Sequence, residues 1–123
     1  MNWEEKNILV VDDVKINYAV LRGMLKSTRA TILWAKNYPE ALTHFKENEI
    51  NLILMDYQMP DMDGLEMSKR IKAVFENLPI IFQTANTNDI AGIENEKYYE
   101  EVIEKPINRN KLLYTIEKYL MKK

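Results

Sequence analysis

Residues Asn51–Gly64 read NLILMDYQMPDMDG. Leu52–Met55 is a short apolar run with the character of a buried strand, and Asp56 stands where that strand should end. A carboxylate in that position is costly to desolvate unless its charge is used. Met59-Pro60 and then Asp63-Gly64 supply the turn chemistry that stops the strand and reopens the chain as a helix. Asp56 is therefore the candidate nucleophile, and the other reactive side chains are expected to gather around it.

Outward from this stretch, short apolar runs alternate with amphipathic segments. Upstream, Ile8–Val11 reads as a strand closed by Asp12-Asp13, and Thr31–Trp34 as a second strand. Between them Ile16, Val20 and Met24, with Leu21 and Leu25 beside them, form a stripe along one helix. Tyr38, Ala41, Leu42 and Phe45 mark a second helix, with Pro39 tolerated in its first turn. Downstream, Met67, Ile71, Val74 and Phe75 follow at helical spacing. Ile80–Phe82 is a fourth strand, Asn88–Lys97 a weakly patterned helix, and Val102-Ile103 a short fifth strand. The last helix carries Leu112, Leu113, Ile116, Tyr119 and Leu120, with Asn108 as its N-cap. Strands that read as continuous apolar runs and alternate with helices predict an α/β fold, a parallel sheet covered on both faces.

In open parallel sheets, ligands bind beyond the carboxyl ends of the strands. Those ends carry Asp12 and Asp13, then Asp56, then Thr84, then Lys105. Brought together without a cation, the carboxylates would repel by on the order of a few kcal/mol per pair at an effective dielectric of about 20. Oxygen ligands, with no cysteine and a single histidine, point to Mg²⁺. A lysine and a hydroxyl supply what a phosphoryl group needs on its remaining oxygens, so the expectation is a phosphoryl-transfer site.

Composition limits the alternatives. The 123 residues, 46% of them hydrophobic, suffice for one domain spanning 1–123 and not for two. A net charge of −2 leaves no basic footprint for direct binding to nucleic acid. No apolar run approaches the roughly 20 residues that span a bilayer, and MNWEEKN is acidic where a secretory signal would be basic. The expected location is cytoplasmic.

The order ILVVDD, LILMDYQMPDMDG, Thr84-Ala85 and EKPIN, over essentially the whole chain, resembles the receiver domain of two-component response regulators. That resemblance implies a three-layer, flavodoxin-like (βα)5 fold with strand order 2-1-3-4-5. It implies that Asp56 accepts a phosphoryl group from a phosphohistidine on a histidine kinase or phosphotransfer protein. Asp13, Asp56 and the backbone carbonyl of Gln58 would ligate Mg²⁺, with Asp12 acting mainly through bound water. Lys105 would pair with Asp56 and then with the phosphate, Thr84 would swing toward the phosphate, and the bond before Pro106 would be cis. Asn17 and Lys105-Pro106-Ile107-Asn108 look more like receivers fused to hybrid sensor kinases than free-standing ones. Val102 stands where receivers usually carry an aromatic switch residue, so its part in switching alongside Thr84 and Lys105 is open, as is a weak homodimer. Tyr98-Tyr99-Glu100-Glu101 replaces the usual Gly-Ala before the fifth strand.

Each of these residues also has a plain reading when taken alone. Asp12-Asp13 suits a helix cap, Asp61 and Asp63 suit turns, Thr84 a strand end, and Lys105 a solvated charge. His44 is expected on an exposed flank, and Trp3 and Trp34 as packing residues. Two other functions compete with the phosphoacceptor. A Mg²⁺-dependent phosphatase with an aspartyl nucleophile wants a second acid two residues on, where Gln58 stands. An inert receiver-like docking module would not need all five site residues.

Overall fold

The computed structural model describes residues 2–60, 63–89 and 98–121. Five parallel strands, β1 (Asn7–Val11), β2 (Thr31–Ala35), β3 (Leu52–Asp56), β4 (Ile80–Thr84) and β5 (Glu101–Glu104), form one sheet in the order β2-β1-β3-β4-β5. Side chains alternate across a strand, so each apolar run feeds two cores. Ile8, Val10, Leu52, Leu54, Ile81 and Ile103 face α1 (Lys15–Leu25) and α4 (Arg109–Leu120), and pack with Leu21, Leu25, Leu112 and Ile116. Leu9, Val11, Ile53, Met55, Ile80 and Phe82 face α2 (Tyr38–Glu47) and α3 (Gly64–Val74), and pack with Ala41, Met67 and Ile71. The result is the expected three-layer architecture, and the expected strand order is observed.

Local chemistry sets the helix starts. The side chains of Asn37, Asp63 and Asn108 accept hydrogen bonds from the backbone N–H of Glu40, Glu66 and Lys111 at 2.9, 2.8 and 3.0 Å. Asp63 is thus a helix cap as well as a turn residue. α1 has no such cap from Val14; Asp12 instead receives the Val14 N–H at 2.9 Å. The Lys105–Pro106 bond is cis.

Several expectations on the helices need correction. In α1 only Leu21 and Leu25 are buried, while Ile16 is 65% and Val20 48% exposed. α1 carries apolar residues on more than one face, and the sheet takes only the Leu21/Leu25 side. Leu42, Val74 and Phe75 are likewise exposed. Phe75 lies just past the end of α3 and packs its ring on Phe45, 5.0 Å between centroids. His44 is half-buried, and its Nε2 lies 2.7 Å from the Trp34 carbonyl oxygen. The helix expected over Asn88–Lys97 lies almost wholly outside the described residues; its first two fall in a short 3₁₀ turn, Thr87–Asp89. Among the described residues no helix is long and apolar enough to cross a membrane.

Candidate functional site

Strand register brings the reactive side chains to one edge. Val11 pairs with Met55, Asp56 with Gln83, and Thr84 with Glu104, so Asp12, Asp56, Thr84 and Lys105 all stand at the carboxyl ends of adjoining strands. One carboxylate oxygen from each of Asp12, Asp13 and Asp56 lies within 4.8 Å of the other two. Asp12 is fully buried, Asp56 is 7% exposed, and Asp13 is open to solvent.

Asp12 is held on several sides. Its N–H donates to the Ala35 carbonyl at 3.0 Å, and its own carbonyl accepts from Trp34 Nε1 at 2.8 Å. Trp34 therefore holds the backbone at Asp12, a role beyond packing; its ring stacks on Tyr18 at 5.4 Å. Asp12 Oδ1 receives Val14 N–H and, at 3.4 Å, Asn17 Nδ2. Asp12 Oδ2 is buried with no hydrogen-bond partner among the described residues. A buried carboxylate oxygen left without a donor, beside two further carboxylates, fits a hard divalent cation such as Mg²⁺.

Asp56 Oδ1 receives the Gln58 N–H at 3.3 Å and lies 3.6 Å from Lys105 Nζ. Burial raises the pKa of Asp56, the Lys105 ammonium opposes that rise, and the Asp12 carboxylate adds to it. Gly64 packs close under the backbone that leaves β3, since a Cβ there would lie 3.0 Å from the Asp56 backbone carbonyl oxygen, Tyr57 Cα and Phe82 Cε1. Tyr57 in turn meets the Phe82 ring edge-on at 5.3 Å, and Phe82 meets Tyr99 at 5.2 Å.

Thr84 is buried, and its hydroxyl is engaged with Asn86: it donates to the Asn86 carbonyl at 3.1 Å and accepts the Asn86 N–H at 3.2 Å. Val102 is half-buried against the α2/α3 core. Beside Lys105, a groove of about 290 Å³ runs between α1 and the turn Lys105–Ile107. Exposed Val20 lines it together with the polar side chains of Asn17, Gln83 and Lys105. Sequence reasoning gave Trp34 no part in the site, because a hydrogen bond from an indole to a backbone carbonyl leaves no mark in residue spacing.

The sequence matches the response regulator receiver domain over residues 8–117. The chain belongs to that family. This receiver is 31% identical over 122 residues to the autoinducer 1 sensor kinase/phosphatase LuxN of Vibrio campbellii, covering 99% of this chain and 14% of LuxN. It is 32% identical over 120 residues to the polar-differentiation response regulator DivK of Brucella anthropi, covering 94% of this chain and 96% of DivK. The crystal structure of the response regulator TrrA from Thermotoga maritima, in complex with Mg²⁺-BeF, superposes with a TM-score of 0.84 at 29% identity, covering 93% of this chain and 98% of that one. As a receiver domain of two-component systems, the chain is a phosphoacceptor signalling domain, and its aspartate cluster fits a Mg²⁺ site.

Proposed function

We propose that Asp56 is the phosphoryl acceptor, and that the donor is a phosphohistidine on a histidine kinase or phosphotransfer protein. The observation that carries this reading is the meeting of three carboxylates with the Lys105 ammonium, 3.6 Å from Asp56, at one sheet edge. A carboxylate oxygen of Asp56 attacks phosphorus in line; the new O–P bond forms as the P–N bond to the donor imidazole breaks, and the electron pair leaves with that nitrogen. Lys105 pairs with the incoming phosphoryl oxygens, and the Thr84 hydroxyl exchanges its Asn86 partners for one of them. Asp12, Asp13, Asp56 and the Gln58 carbonyl would hold Mg²⁺, which supplies charge neutralisation to the carboxylates and the transferred oxygens. Phosphorylation adds about −1.5 to −2 charge and three strong acceptors, enough to reorder the loops bearing Thr84 and Lys105. Val102, packed beside Phe82 in the same core, moves with that change as a secondary switch residue.

Residues 1–123 act as a single receiver unit in this reading. Similarity to a sensor kinase, together with Asn17 on Asp12 and the Lys105–Asn108 run, supports a place in a hybrid kinase chain. Gln58, where a phosphatase of the aspartyl-nucleophile kind would carry its second acid, supports an acceptor over a turnover enzyme. Incubation with Mg²⁺ and acetyl phosphate should add one acid-stable, base-labile phosphate. Asp56→Asn taking up label at the parental rate would remove the assignment. Lys105→Ala should fold normally and uncouple labelling from the conformational change.

A further inference from the structure

The aspartate pair after β1 stands where the ladder to β2 runs out. In a parallel pair, alternate residues turn both backbone groups toward the neighbouring strand. Thr31 and Ala35 of β2 do so: the Thr31 N–H donates to the Lys6 carbonyl, and the Ala35 carbonyl accepts the Asp12 N–H, each at 3.0 Å. The next rung would carry the Asn37 N–H to the Asp12 carbonyl. β2 ends at Ala35, however, and Asn37 serves as the N-cap of α2. Trp34 Nε1, which donates to the Asp12 carbonyl at 2.8 Å, takes the place of the missing rung. The indole is itself fixed. Its ring stacks on Tyr18 with centroids 5.4 Å apart, and the Trp34 carbonyl meets His44 Nε2 at 2.7 Å.

We propose that Trp34 is a positioning residue for the Mg²⁺ site. The Asp12 carbonyl belongs to the planar peptide that joins Asp12 to Asp13, so the indole N–H fixes the plane from which Asp13 departs. Asp12 has further anchors, since it is fully buried and its Oδ1 receives the Val14 N–H. Asp13 has none of that kind: among the described residues no hydrogen bond or ion pair holds its exposed carboxylate. Rotation of the Asp12–Asp13 peptide would swing that carboxylate away from those of Asp12 and Asp56, each of which has an oxygen within 4.8 Å of one of its own. Groups that orient a ligand contribute to metal affinity without touching the ion. The inference rests on the aspartates holding Mg²⁺, as in the phosphoacceptor reading above, and Trp34 acts on phosphoryl acceptance only through that ion.

The test follows Mg²⁺ binding to the full chain by calorimetry and NMR. Trp34→Phe keeps a ring against Tyr18 and loses the donor. It should weaken Mg²⁺ binding roughly five- to tenfold, the worth of one hydrogen bond, whereas a merely structural role would lower the metal-free melt and leave the dissociation constant unchanged. Its labelling by acetyl phosphate should lag at limiting Mg²⁺ and recover at saturation. Tyr18→Phe removes the hydroxyl that donates to the Ile32 carbonyl at 3.3 Å, and should bind Mg²⁺ as the parent does. Should Trp34→Phe not fold, the parental chain decides. Its Trp34 indole resonance, assigned through contacts to the Tyr18 ring, should shift with Mg²⁺ alongside the Asp12 and Asp13 amides, while that of Trp3, packed in the α1/α4 core, stays still. The proposal is overturned by a parental dissociation constant in Trp34→Phe, by equal weakening in Tyr18→Phe, or by a Trp34 indole resonance that Mg²⁺ leaves unmoved. A parent that binds no Mg²⁺ overturns it together with the metal site; one that binds Mg²⁺ but takes no label from acetyl phosphate strikes the phosphoacceptor reading alone.

Discussion

Asp56 is buried next to another carboxylate, so the fold holds its proton more tightly than the unfolded chain does. Linkage then fixes a sign: in the absence of metal, the contribution of Asp56 to stability is greatest below the ordinary carboxylate range and falls as pH rises through the raised folded value. Asp56→Asn carries no charge at any pH, and should melt higher than the parent at neutral pH without Mg²⁺; melting curves from acid to neutral pH should show the two converging as Asp56 takes up its proton. Gly64→Ala presses a Cβ onto backbone on two sides and the Phe82 ring on a third, and should cost about 1–3 kcal/mol in urea denaturation. Asp56 and its cationic partner Lys105 were legible in sequence because each stands at the end of a strand that reads as an apolar run. Trp34 was not, since an indole two strands away in sheet order matters only through what the fold places beside it.

Among the elements, α3 is tied to β5 by a contact no spacing announced. Lys72 Nζ meets both carboxylate oxygens of Glu100 at 2.9 and 2.8 Å and donates to the Leu78 carbonyl at 2.7 Å, while Glu100 Oε1 also accepts the Ile80 N–H at 2.7 Å. The Lys72 side chain is 6% exposed and that of Glu100 29%. Lys72→Met, which keeps the stem and removes the charge, should cost about 2–4 kcal/mol, because it strands a part-buried carboxylate and a backbone carbonyl together. Arg70→Ala, which opens the exposed pair with Glu66, should change stability by less than about 1 kcal/mol in the same urea titration. Strands were readable because a two-sided sheet demands unbroken apolar runs. The facing of α1 was not: the Ile16/Val20 and Leu21/Leu25 sides are both apolar, and only contact with the sheet decides between them.

For the molecule as a whole, metal binding at the aspartates would be linked to folding. A cation that binds only the folded chain adds about 2.7 kcal/mol at a hundredfold excess over its dissociation constant. Thermal melts should therefore rise with Mg²⁺, and Asp13→Ala, altering an exposed residue, should lose that rise with little change in the metal-free melt. The alternation of strand and helix foretold this architecture, whereas the strand order came from family likeness, since apolar runs do not say which neighbour each strand chooses. The Lys72–Glu100 tie lies where β4 and β5 begin, at the opposite edge from the aspartates. Anchored at its foot, the slab cannot answer a new charge at its crown by tilting as a board. Displacement must spread sideways through the crown's own loops, so amide hydrogen exchange should stay slow around Ile80 while quickening or slowing beside Thr84 and Lys105.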